Sequence, residues 1–185
     1  MHKRILSATV GEVTPAHQFQ PGINILCGHQ AEDVLLTLAG IFGRMPPKAF
    51  QAVLHWCNDV TLFVSGEDGQ VFVNKINKVR GDSAQWIKQF HKQRFLHFRD
   101  DSHILDGAKL PPGTAGASQL LLKKLKDTLT QQDNRPLFIC NVLERLDEAV
   151  DLQPIFEALL ATGRQVFIAV PPNYKTDTKH PIIHL

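Results

Sequence analysis

Phe19-Gln20-Pro21-Gly22-Ile23-Asn24-Ile25-Leu26-Cys27-Gly28 is the stretch on which the fold turns. A proline–glycine turn opens a compact β-branched run that closes on glycine, the pattern of a strand buried on both faces. Directly after it, Val34, Leu35, Leu38, Ala39 and Phe42 recur at helical spacing and predict a helix over 31–42. Glu32 and Asp33 fall in its first turn, where carboxylates meet the positive end of the helix dipole. Pro46-Pro47 stops the helix.

Working outward, residues 4–10 read as a short strand ahead of a polar connection through Pro15. Residues 52–57, 60–65 and 70–77 read as antiparallel strands, and Gly66-Glu67-Asp68-Gly69 between the last two is a hairpin signal. Residues 83–94 are predicted as an amphipathic helix with Trp86, Ile87 and Phe90 on one side. Pro111-Pro112-Gly113 breaks the chain before a helix over about 115–130, whose apolar positions are Leu121, Leu122, Leu125 and Leu129. Leu137-Phe138-Ile139-Cys140 is another buried strand, and 152–161 another helix with Gly163 as its cap. Residues 165–170 give a further strand, and 181–185 close the sheet. This order predicts one α/β domain over 1–185 with an antiparallel β subdomain at 48–80.

Hydrophobic residues at 43% and charged residues at 21% exclude disordered and fibrous classes. The chain has 20 Lys and Arg against 18 Asp and Glu, a net +2 that by itself predicts no acidic partner. The charge is unevenly spread. Residues 75–126 hold 11 basic and 4 acidic side chains, a local +7 between two weakly acidic thirds. Cys27, Cys57 and Cys140 are odd in number and flanked by apolar residues, as small buried hydrophobes of a reducing compartment are. No apolar run approaches the roughly 18 residues needed to span a bilayer, and the first residues lack a signal-peptide core. The expectation is a cytoplasmic protein with no membrane partner.

Four segments of the chain stand in a definite order. The first is the quoted strand at 19–28, and the second is Leu110-Pro111-Pro112-Gly113-Thr114 before a helix. The third is Pro136-Leu137-Phe138-Ile139-Cys140-Asn141 followed by Leu146-Asp147; the fourth is the strand at 164–171, ending in Pro171. On these segments the chain resembles a compact ABC-type ATPase head of the RecF and structural-maintenance-of-chromosomes (SMC) kind over most of its length. The resemblance implies a three-layer P-loop NTPase-like sheet, and it carries an expectation of DNA-repair-related work. It makes 19–28 the strand leading into the P-loop, 110–114 the signature loop and 136–141 the Walker B strand. Leu146-Asp147 then matches the D-loop, and 164–171 the strand that ends at the switch histidine.

Measured against that family, the chemically important positions are changed. A P-loop reads G-x-x-x-x-G-K-[ST], with glycines that let the backbone wrap phosphate, a lysine for charge and a hydroxyl for Mg²⁺. Here Gly28 keeps the first glycine, and Gln30 falls within the loop. Asp33 replaces the second glycine, Val34 the lysine and Leu35 the hydroxyl residue. One carboxylate about 5 Å from a phosphate charge costs roughly 3 kcal/mol at an effective dielectric of about 20. A structural reading of Glu32 and Asp33 is that they occupy the helix N-terminus which phosphate would otherwise neutralise. In the Walker B segment the Mg²⁺ aspartate aligns with Cys140 and the water-polarising glutamate with Asn141, neither of them a general base. Glu144, three residues on, reads as a solvated helix-start acid rather than a substitute. Pro111 stands at the signature serine, and Pro171 at the switch histidine. Only some thirty residues, about 78–109, stand where the family carries its long coiled-coil arm, which is therefore expected to be absent.

Other constellations point less far. His91, His97 and His103 recur every six residues, which is not a metal-ligand spacing, and no Cys-x-x-Cys occurs. His55-Trp56-Cys57 reads as a strand with alternating faces. Residues 75–99 contain seven basic side chains, Lys88, Lys92 and Arg94 among them, interleaved with Trp86, Phe90, Phe95 and Phe98. Basic groups with stacking aromatics suit single-stranded nucleic acid. The plainer reading, a solvated helix face with Trp86 and Phe90 turned inward, is preferred.

The sequence therefore predicts a pseudo-ATPase head with no catalytic residues, no metal and no cofactor, acting as a protein-interaction or regulatory module. Its partner would be a second copy or an intact ATPase subunit. Two alternatives stay open. One is a weak Mg-ATP-binding ATPase with a rebuilt site; the other is a nucleic-acid-binding module using residues 75–99.

Overall fold

A computed structural model describes residues 4–10, 17–40, 49–56, 60–67, 70–78, 103–106, 123, 127, 135–140, 153–170, 172, 180 and 182–185. Its elements run β1 (Arg4–Val10), β2 (His17–Gln18), β3 (Ile23–Cys27), α1 (Ala31–Gly40), β4 (Phe50–Trp56), β5 (Val60–Glu67) and β6 (Gln70–Lys78). There follow β7 (His103–Asp106), β8 (Leu137–Cys140), α2 (Gln153–Leu160), β9 (Val166–Val170) and β10 (Ile182–His184). They divide into two compact units, Met1–Phe19 with Leu36–Ser102, and Gln20–Leu35 with His103–Leu185.

The first unit holds an antiparallel sheet in the order β2-β1-β4-β5-β6. Burial alternates along β4 and β5 as a one-sided sheet requires. Phe50, Ala52 and Leu54 are buried while Gln51 is exposed and Val53 half-buried; Leu62 and Val64 are buried between half-buried Thr61, Phe63 and Ser65. Register aligns the buried sets, Leu54 with Leu62, Ala52 with Val64 and, across the other edge of β4, Ile5 with Leu54 and Ala8 with Ala52. Gly66 pairs with Phe50, whose ring fills the space a side chain at 66 would need. Pairing of Glu67 with Gln70 makes the hairpin connection two residues long, so Gly66 and Glu67 of the predicted Gly66-Glu67-Asp68-Gly69 turn belong to the end of β5. A bulge follows Phe63; Lys75 sits 5.5 Å over the Phe63 ring, and Asn74 donates to the Ser65 hydroxyl at 3.0 Å. The predicted antiparallel span of 48–80 is thus part of a wider sheet that also takes in β1 and β2.

The second unit holds a parallel sheet in the order β10-β3-β9-β8-β7. Every residue of β3, β8 and β9 is buried, the near-continuous apolar pattern of parallel strands covered on both faces. Phe138 and Phe167 face each other in register and stack at 5.1 Å. The α2 helix buries Ile155, Phe156 and Leu159 and packs against β3. Its end is closed by Gly163 at φ 64°, whose amide donates to the Leu160 carbonyl at 3.1 Å, so the predicted cap is the observed one. Mixed sheets, one antiparallel and one parallel, make the fold α/β.

One polar side chain lies inside this apolar sheet. Asn24 is fully buried, and each of its polar atoms is engaged. Its Oδ1 accepts from the Gln20 amide at 2.7 Å, while its Nδ2 donates to the carbonyls of Gln20 and Gly22, each at 3.0 Å, and of Val166 at 3.3 Å. Gln165 Nε2 reaches the same Gln20 carbonyl at 2.9 Å, and Arg164 Nε donates to the Arg135 carbonyl at 2.9 Å. Buried amides are tolerated only when satisfied in this way.

Sequence and structure part at several places. β7 and the two-residue β2 are not predicted by the sequence; α1 is described over Ala31–Gly40, and residues 41–42 of its predicted span lie outside the described residues. The predicted helix at 83–94 lies outside the described residues. Of the helix at 115–130 only Lys123 and Asp127 are described, both helical and exposed. Among the described residues, no helix is long and apolar enough to cross a membrane.

Candidate functional site at the carboxyl edge of the parallel sheet

Because all five strands of the second sheet run the same way, their carboxyl ends share one edge, the edge at which open α/β sheets receive ligands. Cys27, Cys140 and Val170 end the three central strands there, and all three are buried. Two of the sequence-predicted positions, Gly28 and Cys140, come to this edge together, on β3 and β8 with β9 between them.

The link from β3 to α1 is short. Only Gly28, His29 and Gln30 separate the strand from the helix, which begins at Ala31. In the G-x-x-x-x-G pattern those first three positions would be followed by three more of loop. Here the three are Ala31, Glu32 and Asp33, already in the first turn of α1. The Ala31 amide donates to the Gly28 carbonyl at 3.3 Å and the Val34 amide to the Gln30 carbonyl at 3.0 Å, so both are used within the turn and helix. His29, Gln30 and Asp33 are exposed, Glu32 is half-buried, and Val34 is buried with 6% exposure.

Gly28 has a local reason to be glycine. Its φ of 139° disfavours any side chain, and a Cβ there would collide with the carbonyl oxygen of Leu185. Leu185 is held in place by its own amide, which donates to the Cys27 carbonyl at 2.8 Å and continues the β10–β3 ladder by one step.

Cys140, 1% exposed and in no disulfide, sits where the resemblance expects a metal-bound carboxylate. One strand across, Asp106 lies level with it in backbone register. Sequence reasoning passed over Asp106; its only signal was an acid closing the short apolar pair Ile104-Leu105. Asn141, Glu144, Pro171, the loop at 110–114 and Lys88, Lys92 and Arg94 lie outside the described residues. So do His91, His97 and Cys57, while His103 opens β7 and His55 lies in β4. Among the described residues, no three His, Cys, Asp or Glu are grouped as a metal site.

With this geometry in place, the chain can be set beside known proteins. No protein-family model matches it, and no curated protein does. Among solved structures, the SMC head domain from Thermotoga maritima is similar, with a TM-score of 0.52 over 94% of this chain and 90% of that one, at 11% identity. The fold is SMC-head-like. At that identity the likeness speaks for the fold alone and carries no residue or activity across.

Proposed function

We propose that the chain is a non-hydrolysing, ABC/SMC-like head of the three-layer P-loop type, working as a protein-interaction or regulatory module. The observation that carries this reading is the β3–α1 link, where three of the positions a phosphate loop would use are helical and Val34, at the lysine position, is buried. A buried Cys140 at the Walker B position adds to it, since a thiol there offers neither the charge to hold Mg²⁺ through water nor a base for it. Gly28, the one P-loop residue retained, is accounted for by its approach to Leu185 without any phosphate. The expected partner is a second copy or an intact ATPase subunit of the same architecture, with no cofactor of its own.

Isothermal titration of the full chain with millimolar Mg-ATP, run beside a phosphate-release assay, tests the reading. No binding heat and no release are expected. Saturable binding would sink it in favour of a rebuilt nucleotide site. Salt-dependent binding of single-stranded DNA or RNA, weakened by alanine at Lys88, Lys92 and Arg94, would move the function to nucleic acid.

A further inference from the structure

The β3–α1 turn is joined to a segment far from it in sequence. Ile182, Ile183 and His184 pair in parallel with Ile25, Leu26 and Cys27, and β10 is the edge strand of its sheet. The ladder continues past the strand, where the Leu185 amide bonds the Cys27 carbonyl at 2.8 Å. There the Leu185 carbonyl occupies the space left by the missing side chain of Gly28. The turn itself is tied by the Ala31-to-Gly28 and Val34-to-Gln30 bonds described above.

From this we infer that residues 182–185 form a strap holding the strand–turn–helix link closed, and that release of this edge strand is the conformational step by which the turn opens. Edge strands bonded on one side only are among the first elements to detach. This edge strand is half-buried at Ile182, Ile183 and Leu185 and exposed at His184, so less burial opposes its release than holds the wholly buried β3, β8 and β9. Any ligand or partner that must reorder Gly28, His29 and Gln30 would then have to displace the Leu185 carbonyl from beside Gly28. The inference goes beyond the reading of the chain as a non-hydrolysing head, because a strap would govern the turn whether or not nucleotide binds.

Leu185→Pro removes the one amide donor at the end of the strap, and Gly28→Ala places a methyl group against the Leu185 carbonyl. Amide hydrogen exchange on the full-length chain reads both variants. Leu185→Pro is expected to speed exchange at Ala31 and Val34 by about fivefold or more, the scale of one lost hydrogen bond, while β9 amides keep their wild-type rates. The effect of Gly28→Ala should shrink in the Leu185→Pro background, since the clash is gone once the strap is loose. Unchanged exchange at Ala31 and Val34 in Leu185→Pro would overturn the inference. So would strictly additive effects in the double variant, or equal acceleration across β9.

Discussion

At the amino ends of β3, β8 and β9, Asn24, Gln165 and Arg164 tie neighbouring chain segments together through buried side chains that donate to main-chain carbonyls. At the carboxyl ends of the same strands, Cys27, Cys140 and Val170 are buried; the Cys27 carbonyl accepts from the Leu185 amide, and the turn after it is closed by the Ala31-to-Gly28 and Val34-to-Gln30 bonds. The side-chain bonds described for these three strands thus gather at the end away from the edge where α/β sheets receive ligands. The contrast teaches that polarity inside this sheet serves connection. Pro21 and Gly22, which open β3, are anchored by these bonds, while at the carboxyl edge the strand ends are buried and His29, Gln30 and Asp33 beyond them are exposed.

The sharpest way to break the contrast is to put chemistry back at the carboxyl edge. Cys140→Asp would place a carboxylate in a site with 1% exposure. It is expected to lower stability by about 3 kcal/mol or more, with no gain in Mg-ATP binding. Urea denaturation and nucleotide titration read the two halves of that statement. A stable, nucleotide-binding Cys140→Asp would make the edge a working site and erase the contrast.

At the amino end, Asn24→Leu takes the Asn24 acceptor from the Gln20 amide and one bond each from the Gln20, Gly22 and Val166 carbonyls, of which Gln20 keeps its bond from Gln165 and Gly22 its bond from the Val166 amide. A loss of about 2–3 kcal/mol is expected, visible as a lower urea midpoint at unchanged slope. A neutral result would show that the polar cluster is incidental to holding β3 and β9. The smallest effect belongs to Gly163→Ala, just before that cluster. Nothing lies within 4 Å of a Cβ there, so only the φ of 64° resists, and a loss of about 1 kcal/mol in thermal or urea melts is expected. A much larger loss would mean that the α2 cap also sets the position of Arg164 and Gln165.

What could be read from sequence was local. β3 and the start of α1 announced themselves through an apolar run, a glycine and helical spacing. The β5–β6 hairpin was legible in its turn residues, and the cap of α2 in Gly163. What escaped was non-local or too short. β7 has only Ile104 and Leu105 between polar ends, which gives no period to count. The contact between Gly28 and Leu185 joins residues far apart in sequence, and no local pattern marks it. Asn24 did leave a trace, a lone amide within Ile-Asn-Ile-Leu, since a polar residue in a buried strand implies partners even when they cannot be named. At the candidate site, the departures of Asp33, Val34 and Cys140 from the family pattern that the resemblance implies could be read from the sequence. The shortened link was not, because helix starts are set by hydrogen bonds that a residue string does not display.

The strand order has a consequence for synthesis of the chain. β4, β5 and β6 can pair with one another as soon as they emerge, but β3 has no partner until β9 and β10 arrive; Asn24 and Val166 alone are 142 residues apart. At the usual elongation rates of about 5–20 residues per second, that is a wait of roughly 7–28 s. Throughout it, the apolar run Ile-Asn-Ile-Leu-Cys stands without the strands that will cover it. The segment at the heart of the finished sheet is therefore the one most exposed to wrong company during birth, and a nascent chain stalled before residue 166 is where chaperone dependence should be greatest.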